Sequence, residues 1–497
     1  MKETFINNQI IKIKKNMSYQ KGNAKMTNYR WVVCAMLFFA TTVNYLDRQV
    51  LSLTFEDFIR PEFHWTDSHY GNITGIFSLF YAIAMLIAGK FVDWMGTKKG
   101  FMWAIGVWSF GACIHALCGV VTQGFVGLPD AMALRLAADA EMVARIALVS
   151  STLFIIARCV LALGEAGNFP AANKAVAEYF PKRDRAFATS IFNAGSTIGA
   201  LIAPFCIPPL AAKWGWEASF IIIGGLGFVW MGFWLFVYKR PEQNPSVNAA
   251  ELAYILSDDA AEATPAQVDE TAVKKVSLWS CFKYRQTWSF IVGKFMTDGV
   301  WWFFLFWMPS YLKTTYGLSS TDPQFQWALG LLYLIVMVSI FGGYLPTLFI
   351  DKKKMDPYAG RMLSMLIFAF LPLVALAAQP LAHVSMWWPV VLIGIAGAAH
   401  QSWSANLFST IGDMFPKTMI ATITGIGGMA GGIGSFIIQK SAGALFDYSA
   451  VTNLELFGYM GKEAGYMIMF TFCGVAYLIG WTIMKILVPR YKKIELQ

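Results

Sequence analysis

Long apolar runs alternate with short polar stretches along the whole chain of 497 residues. Each run is about 20 residues long, enough for an α-helix to cross a hydrocarbon core of roughly 30 Å at 1.5 Å per residue. Helices are expected because unpaired backbone groups are not tolerated in lipid. The pattern therefore predicts an all-α membrane protein with twelve transmembrane helices, at about 31–53, 70–93, 101–121, 149–175, 187–212, 218–238, 287–312, 325–350, 361–381, 386–411, 418–445 and 465–488.

A polar stretch interrupts this pattern between the sixth and seventh runs. It begins KRPEQNPSVNAAELAYILSDDAAEATPAQ, which carries several charges and prolines. We interpret residues 239–286 as a cytoplasmic linker with short amphipathic helices, lying between six-helix halves at 31–238 and 287–488. Residues 1–30 and 489–497 are then expected to be cytoplasmic tails.

The two halves share a weak internal repeat. YFPKRDRAFATSIFNAGSTIG, from Tyr179, aligns with MFPKTMIATITGIGGMAGGIG, from Met414, with eight identical residues of 21 at an offset of 235. Continued backwards, the same offset places His400 opposite Glu165. The repeat indicates two parallel halves, an architecture in which substrates bind between the halves near the middle of the membrane.

Charge is sparse and unevenly distributed. Only 14% of the residues are charged, against roughly 25% in soluble domains, and the formal net charge is +9. Basic residues fall in alternate connecting segments, which places those segments and both chain ends in the cytoplasm. Nucleic-acid binding is not expected, because no soluble face collects the charge. The basic residues on this side are Lys98, Lys99, Lys182, Arg183, Arg185, Lys239, Arg240, Lys352, Lys353, Lys354, Arg361, Lys417, Arg490, Lys492 and Lys493.

Other classes of protein find no support in the sequence. The first 30 residues contain no apolar core of about 7 to 15 residues, so a secretory signal is not expected. The seven cysteines are scattered without metal-ligand or CxxC spacing, so no metal, cofactor or disulfide framework is expected. Nucleophile and phosphate-binding motifs of enzymes are also missing from the sequence.

The segment GKFVDWMGTKKG, Gly89 to Gly100, resembles the signature loop between helices 2 and 3 of the major facilitator superfamily. Its Gly, Asp, Gly and basic residues stand in register with that loop. The resemblance implies the twelve-helix major facilitator fold and a gating role for Gly89 and Asp93. The Asp93 carboxylate would oppose a helix N-terminus and nearby cations in one state and release them in another.

Further motifs narrow the resemblance. NYLDR, ARCVLALGEAGNFPA and YFPKRDRA look like the anion:cation symporters, which carry sugar acids and other organic anions. FNAGSTIGALIAP, FMTDGVWWFFLFWMPSYL, FGGYLP and AAHQSWSANL are most similar to hexuronate transporters, which import glucuronate and galacturonate with protons. Galactonate transporters have glutamines where this chain has Ser196 and Lys294, and related members have asparagines at Gly428 and Gly432. These departures argue against an aldonate substrate.

Asp47 and Arg48 stand side by side inside the first apolar run. On a helix of 3.6 residues per turn they point about 100° apart and must meet different partners. Arg158 on helix 4 is expected near the depth of Asp47, and Glu165 lies two turns further along the same face. We predict that Asp47 pairs with Arg158 and that Glu165 is the proton carrier. Arg48 would then be free to bind the substrate carboxylate in a bidentate manner.

A buried charge costs at least several kcal/mol unless it is paired or hydrated. The alternative is that the four charges satisfy this requirement by pairing with one another and only hold helices 1 and 4 together. These charges are Asp47, Arg48, Arg158 and Glu165. In the second half, Lys294 and Asp298 are spaced i, i+4. They form either an intrahelical salt bridge or, as we favour, part of a watery cavity in which Lys294 binds the substrate.

Uncharged candidates complete the expected site. His400 and Gln401 can hydrogen-bond to sugar hydroxyls, although His400 is equally compatible with a core role. Tyr45 and Tyr81 match positions at which relatives present phenols to the cavity, and Asn193 and Ser196 lie on the glycine-rich face of helix 5. All four are expected to contact the substrate. Some aromatic residues could stack on a sugar ring, although single aromatics in such helices more often face lipid. They are Trp301, Trp302, Trp307 and Tyr311.

The loop at 122–148 contains PDAMALRLAADAEMVARIAL, which predicts an amphipathic outer helix that is an ornament rather than a substrate lid. Taken together, these features predict a monomeric, proton-coupled hexuronate symporter of the cell (inner) membrane that works by alternating access. Its partners would be a small organic anion, protons and lipid. Another organic anion, such as an aldonate or an aromatic acid, is the nearest alternative, followed by a sensor and a membrane enzyme.

Overall fold

The computed structural model of the protein describes residues 26–257, 278–492 and 494. Residues 1–25, in the predicted N-terminal tail, and 258–277, in the predicted linker, lie outside the described residues. Twelve helical rods fill the described ranges and correspond to the twelve predicted spans.

Six rods form the first half, and three short elements connect them. In chain order they are α1 (Tyr29–Thr54), a π-helical turn (Phe55–Ile59), α2 (Arg60–Phe63), α3 (Asp67–Met95), α4 (Thr97–His115), α5 (Cys118–Val126), α6 (Ala131–Leu136), α7 (Ala140–Glu165), α8 (Asn168–Tyr179), α9 (Lys182–Trp214) and α10 (Trp216–Val237). α5 continues α4 at a bend of 46°, and α8 follows α7 after a break of two residues.

The described linker and the second half continue the chain in the same way. In order they are a 3₁₀ turn (Pro241–Gln243), α11 (Ala249–Ile255), α12 (Leu278–Cys281), α13 (Arg285–Tyr316), α14 (Pro323–Val336), a 3₁₀ segment (Met337–Gly343), α15 (Leu345–Thr347), a π-helical turn (Leu348–Lys352), α16 (Pro357–Phe370), a 3₁₀ segment (Leu371–Ala377), α17 (Ala378–Ala382), α18 (Trp387–Met414), α19 (Lys417–Thr452), β1 (Glu455–Leu456), β2 (Tyr459–Met460) and α20 (Lys462–Leu487). β1 and β2 pair antiparallel as a small hairpin.

Length and composition alone identify seven helices able to cross a membrane among the described residues, or eight if α4 and α5 count as one span. Four rods do not meet these criteria of length and composition: α1, α13, α18 and α19. Three of these carry polar residues singled out above: Arg48 in α1, Lys294 in α13 and His400 in α18. This test of length and composition therefore passes over three of the helices that carry candidate-site residues.

The connection before α7 shows how side-chain caps set helix boundaries. Asp130 accepts a hydrogen bond from the backbone N–H of Ala133 at the start of α6, and Asp139 accepts one from Met142 at the start of α7. Such caps satisfy N–H groups that have no partner within the helix. The amphipathic helix predicted over PDAMALRLAADAEMVARIAL is not continuous, since α6 covers only Ala131–Leu136 and the part of the segment from Ala140 onwards belongs to α7. α7 begins at Ala140 rather than near 149, because its first turns extend beyond the apolar run.

The two halves meet along α3 and α19, where glycines let the backbones approach closely. A Cβ atom on Gly71 would lie 2.6 Å from the carbonyl oxygen of Gln439, and one on Gly443 would lie 2.4 Å from that of Asp67. Only glycine fits at such a distance, and small residues serve this purpose in membrane helix packing.

The helix bundle has two ends, a terminal face and a far face. The terminal face carries the described chain ends, the linker, and the turns near 96, 180–181 and 415–416. The far face carries the opposite connections, including 55–66, 317–322 and 453–461.

Candidate functional site

Four charged side chains lie buried between α1 and α7. Asp47, Arg48 and Arg158 are each 2% exposed, and Glu165 is 0% exposed. One oxygen of Glu165, Oε2, accepts a hydrogen bond from Nε of Arg48 at 2.9 Å, and Nη2 of Arg48 lies 2.7 Å from the same oxygen. Arg48 is therefore paired in this structure, and the prediction that it is free was wrong. Helix geometry gives the direction of a Cβ atom, but it does not decide which carboxylate a long arginine side chain reaches.

The predicted ion pair between Asp47 and Arg158 is not formed. Both carboxylate oxygens of Asp47 and all three guanidinium nitrogens of Arg158 are buried without a hydrogen-bond partner among the described residues. Asp47 nevertheless lies close enough to interact electrostatically with Arg158 and Glu165. Asn44 adds further buried polar atoms without a hydrogen-bond partner among the described residues, and the Trp108 indole lies next to the Asp47 carboxylate.

Aromatic rings from both halves surround the Arg48 guanidinium. Its central carbon lies 4.9 Å from the ring centroids of Tyr45 and Tyr81 and 4.8 Å from that of Trp302. Phe77 completes the cage at 5.8 Å. Tyr45 and Tyr81 thus lie beside Arg48, where rings can stabilise a cation through their faces. Trp302 belongs to α13, so a side chain of the second half covers the Arg48 guanidinium of the first half.

Lys294 and Asp298 form a second cation–carboxylate pair, on α13. Nζ of Lys294 lies 2.6 Å from Oδ2 of Asp298 and 4.7 Å from the ring centroid of Phe408. The other oxygen of Asp298 is buried without a partner among the described residues. The intrahelical salt bridge considered above is present, and the two side chains are 8% and 15% exposed. Lys294 and Trp302 are eight residues apart on one helix, so this pair and the Arg48 cage lie along neighbouring turns.

His400 is held in the packed interior of the second half. Its Nδ1 lies 2.8 Å from the hydroxyl oxygen of Tyr477, and its ring stacks on Trp301 with centroids 5.7 Å apart. The residue is 4% exposed. This geometry fits the alternative of a satisfied core histidine, whereas the neighbouring Gln401 is partly exposed.

Asn193 and Ser196 lie on α9, away from the packed side of that helix. Asn193 is exposed, and the hydroxyl of partly exposed Ser196 donates a hydrogen bond to the carbonyl of Asn193 at 2.7 Å. The glycines between and after them face α1, since a Cβ on Gly195 would lie 2.4 Å from the carbonyl oxygen of Phe38. Among the described residues, no hydrogen bond or ring contact joins Asn193 or Ser196 to the Arg48 cage.

The expected gating residues lie at the terminal face. The Asp93 carboxylate is 74% exposed and pairs with Lys174 of the same half at 2.8 Å. Gly89, one turn before it, has open space where a Cβ atom would stand. Asp93 is thus paired locally rather than with the N-terminus of a helix from the other half.

The far face contains a set of contacts that the sequence did not indicate. The carboxylate of Asp447, on α19, accepts hydrogen bonds from the backbone N–H groups of Asp67 and Ser68, at 2.9 Å and 2.8 Å. Lys462 lies 3.0 Å from Asp67 and 3.7 Å from Glu56. These contacts cap α3 from the opposite half and join the two halves electrostatically.

A second group of contacts lies beside the first. Asp57 pairs with Lys313 at 2.8 Å and accepts hydrogen bonds from the hydroxyl of Ser319 and the N–H of Ser320. Although burial raises the pKa of Asp57, these partners outweigh it and lower the pKa below its ordinary value. Only the acidic segment EDFIRPE hinted at this surface. The partners stand about 260 positions away in sequence, which no local pattern encodes.

Among the described side chains, the hydrogen bonds and ion pairs that cross between the halves all involve residues 49–74 of the first half. The far face is therefore closed, and the central charges lie on the terminal side of these contacts.

Within the described ranges, no group of three or more His, Cys, Asp or Glu residues could hold a metal ion. In the part of the chain that the structure describes, the centre of the molecule holds three buried cations, Arg48, Arg158 and Lys294, and two of them, Arg48 and Lys294, are each paired with a carboxylate.

Comparison with known proteins agrees with this architecture. The sequence profile of the Major Facilitator Superfamily matches residues 37–439. The chain is 27% identical to the hexuronate transporter of Escherichia coli K12 over 428 residues, which covers 85% of this chain and 89% of that protein. It is 27% identical to the galacturonate transporter of Dickeya chrysanthemi over 348 residues, which covers 70% and 90%.

Solved structures show the same fold. The inward-facing, occupied structure of a bacterial homologue of the human lysosomal transporter Spinster superposes with a TM-score of 0.63 at 17% identity, covering 94% of this chain and 97% of that one. A D-xylose–proton symporter superposes with a TM-score of 0.61 at 16% identity, covering 92% and 98%. The predicted fold is thus confirmed: the chain is a multi-pass membrane transporter, not an enzyme, and it belongs to the major facilitator superfamily.

Proposed function

We propose that this protein imports hexuronates, such as glucuronate and galacturonate, together with protons by alternating access. The observation that supports this most directly is the buried pair between Arg48 and Glu165 inside a cage of rings from both halves. A guanidinium presents a planar fork that matches a carboxylate. The substrate carboxylate and Glu165 would therefore compete for the same donors.

Competition for Arg48 provides a means of coupling. When Glu165 is protonated it loses its charge, and Arg48 becomes available to the anionic substrate. When the substrate leaves, Glu165 loses its proton and pairs with Arg48 again. Removing one partner of a buried pair is strongly unfavourable, so the empty carrier would keep Glu165 ionised against Arg48. Substrate and proton would then bind and leave together.

Electrostatics favours this exchange. Moving one negative charge inward against 100 mV, inside negative, costs about 2.3 kcal/mol. One accompanying proton removes that cost, and the chemical gradient of protons then drives accumulation. Asp47 and Arg158 belong to the same buried cluster and would adjust its charge during the cycle.

Lys294 would bind the oxygens at the other end of the acid. It lies on α13 on the same helix as Trp302, and its ammonium has three donors of which Asp298 occupies one. A pyranose ring between the two cations could stack on Trp302. Gln401, which is partly exposed, is the remaining second-half candidate for the sugar hydroxyls.

The orientation follows from the charge distribution. We assign the terminal face to the cytoplasm, since the basic connecting segments lie there, and the far face to the outside. The closed far face then corresponds to the inward-facing part of the cycle, and importing a new substrate requires the contacts of Glu56, Asp57, Asp67 and Asp447 to break. In the outward-facing state Asp93 would leave Lys174 and oppose the N-terminus of α19.

The substrate class rests on the relatives. Those named above carry hexuronate or galacturonate according to their names, and a D-galactonate transporter of Escherichia coli is 24% identical over 437 residues. The departures at Ser196 and Lys294 favour a uronate over an aldonate. An aldonate or another organic anion remains the alternative.

The test is uptake into proteoliposomes with a panel of acids, with and without a proton gradient. We expect glucuronate or galacturonate to accumulate only with the gradient, by up to about tenfold per pH unit for one proton. Preferred uptake of galactonate would establish the alternative. Binding without uptake would indicate a sensor, and a chemically altered product would indicate enzymatic activity.

A further inference from the structure

A cavity of about 680 Å³ opens at the terminal face of the second half. Its walls are the turn that leads into α13, at 283–286, and the segment that follows α20, at 487–492, together with Ile494. Neither Arg48 nor Lys294 lines it, so it is separate from the candidate transport site.

Four cations surround this cavity: Lys283, Arg285, Arg490 and Lys492. All four are exposed, and the described residues that line the cavity include no acid. None of their charged groups is paired with an acidic residue of the described chain. Like charges gathered around one concavity repel each other, and an anion in the cavity would relieve that repulsion.

The walls are tied down by hydrogen bonds rather than formed by loose tails. The side chain of Gln286 donates to the carbonyl of Lys492 at 3.0 Å, and the N–H of Ile494 donates to the carbonyl of Met414 at 2.9 Å. The hydroxyl of Tyr358 donates to the carbonyl of Val488 at 2.7 Å. The backbone that carries the four cations is therefore held around a defined space.

The start of α13 adds positive potential to the same place. This helix is 32 residues long, and its cap residue, Tyr284, makes no side-chain cap. Its first N–H groups thus leave the positive end of a long helix dipole at the cavity wall. Phosphate groups are well suited to such a combination of helix end and basic side chains.

Neighbouring tryptophans place the cavity at the membrane surface. Trp279 is 78% exposed and Trp288 is 47% exposed, immediately before and after the turn that forms one wall. Exposed tryptophans mark the boundary between lipid tails and headgroups in membrane proteins. A phosphate reaching this position would most readily belong to a lipid, and basic pockets at such sites bind anionic headgroups.

We propose that this cavity binds the phosphate headgroup of an anionic phospholipid and thereby anchors the C-terminal segment against α13. The lipid would act as a structural ligand of the second half. The inference does not depend on what the protein transports.

The test measures thermal stability of the purified full chain in detergent with added dioleoyl phosphatidylglycerol. We expect this lipid to raise the Tm, and dioleoyl phosphatidylcholine at the same concentration to leave it unchanged. The variant K283Q/R285Q/R490Q/K492Q should lose the response, with an apparent affinity at least about tenfold weaker.

A matched variant controls for general attraction between basic segments and acidic lipid. K239Q/R240Q/K352Q/K353Q removes the same number of exposed cations from the terminal face outside the cavity, and it should respond like the unchanged protein. Equal loss in both variants would overturn the proposal. So would an equal rise in Tm with inorganic phosphate, which would indicate a soluble phosphate ligand.

If the fourfold variant does not fold, the pair R490Q/K492Q allows the same comparison. Both residues lie after the last helix. Native mass spectrometry of this pair should show fewer bound phosphatidylglycerol molecules than the matched pair K352Q/K353Q. Equal binding in the two pairs would also contradict the proposal.

Discussion

At the scale of single residues, the decisive feature is a charge pair with no access to solvent. Arg48 and Glu165 are 2% and 0% exposed, and rings of Tyr45, Tyr81 and Trp302 cover the guanidinium. A pair in such surroundings is held by its own geometry, because desolvation takes away most of what the Coulomb attraction contributes. We propose that an anion with the same geometry replaces Glu165 once that carboxylate is protonated, since an ionised Glu165 left unpaired in the interior would be strongly unfavourable.

Replacing Glu165 by glutamine should separate transport from proton coupling. The amide keeps the shape of the side chain but cannot exchange a proton, so Glu165→Gln should retain exchange of substrate across the membrane. Accumulation driven by a gradient of one pH unit should fall by about tenfold. Counterflow and gradient-driven uptake in proteoliposomes measure the two properties. Full accumulation in the variant would exclude Glu165 as the proton carrier.

Lys294 is expected to act on substrate rather than on folding. Lys294→Gln should reduce hexuronate uptake by about tenfold or more, as expected for a charge-assisted hydrogen bond worth about 1.5 to 3 kcal/mol. Membrane abundance should change less than twofold. Asp298→Asn is the matched variant, since it breaks the same salt bridge but leaves the cation. A parallel loss of abundance and uptake in both variants would favour a structural role for the pair.

Glu62, outside the membrane spans, should make stability depend on pH. Burial raises its pKa to about 7, against the opposing effect of a hydrogen bond donated by the Trp216 indole at 2.9 Å. The folded protein thus holds this proton more tightly than the unfolded chain does. Its stabilising effect is complete below about pH 4.5 and is lost as pH rises towards 7, by about 3 kcal/mol.

The measurement for Glu62 is the Tm in detergent at pH 5.5 and pH 8.5. Glu62→Gln should show a smaller decline than the unchanged protein and should be the more stable of the two at pH 8.5. Glu242→Gln, at an exposed position in the linker, serves as control. An identical decline in all three proteins would show that Glu62 ionises without cost.

At the scale of secondary structure elements, α3 and α19 form the seam between the halves. Glycines allow the two backbones to touch, and Asp447 caps α3 from α19 at the far face. At the other end of α3, Asp93 points to Lys174 and away from α19. One helix pair thus carries a carboxylate at each face, and in this structure only the far-face carboxylate engages the partner helix.

Loss of the cap should shift the equilibrium between the closed and open far face. Asp447→Ala removes a helix cap worth about 1 kcal/mol, and the open population should rise about fivefold. Maleimide labelling of a cysteine at Ser320, which is 4% exposed, reports this change in a cysteine-free background. Asp356→Ala removes a cap that lies within one half, at α16, and should leave labelling unchanged. Equal labelling in both variants would contradict a gating role for Asp447.

At the scale of the whole molecule, the closed far face and the buried central charges describe one state of a transporter. The halves are held together by polar contacts near residues 49–74, and the central charges become accessible from the far side only when those contacts break. Rocking of two rigid halves around a fixed site is the expected motion for this architecture.

A reversible crosslink at the far face should therefore stop transport. Glu56 and Ser310 lie in hydrogen-bond contact across the two halves. Glu56→Cys combined with Ser310→Cys should lose nearly all uptake after oxidation and regain it after reduction. Each single variant under the same oxidant is the control. Unimpaired uptake by the crosslinked protein would show that the far face need not open.

The sequence by itself determined the class of the protein and the location of its helices. Runs of about 20 apolar residues, the alternation of basic loops and the repeat offset by 235 positions are properties of the chain alone, and the fold agrees with them. The apolar runs are interrupted by Arg48, Glu165 and Lys294. These residues stand out in the sequence because a charge buried in a membrane is costly and usually has a function.

Only the tertiary structure decided how those residues pair. Arg48 binds Glu165, Asp47 and Arg158 do not form an ion pair with each other, and Trp302 from the other half covers the Arg48 guanidinium. The far-face contacts of Glu56, Asp57, Asp67 and Asp447 were likewise not foreseen. Sequence periodicity determines which face of a helix a residue occupies. The azimuth of each helix in the bundle and the reach of long side chains depend on packing among all twelve helices, which no local pattern contains.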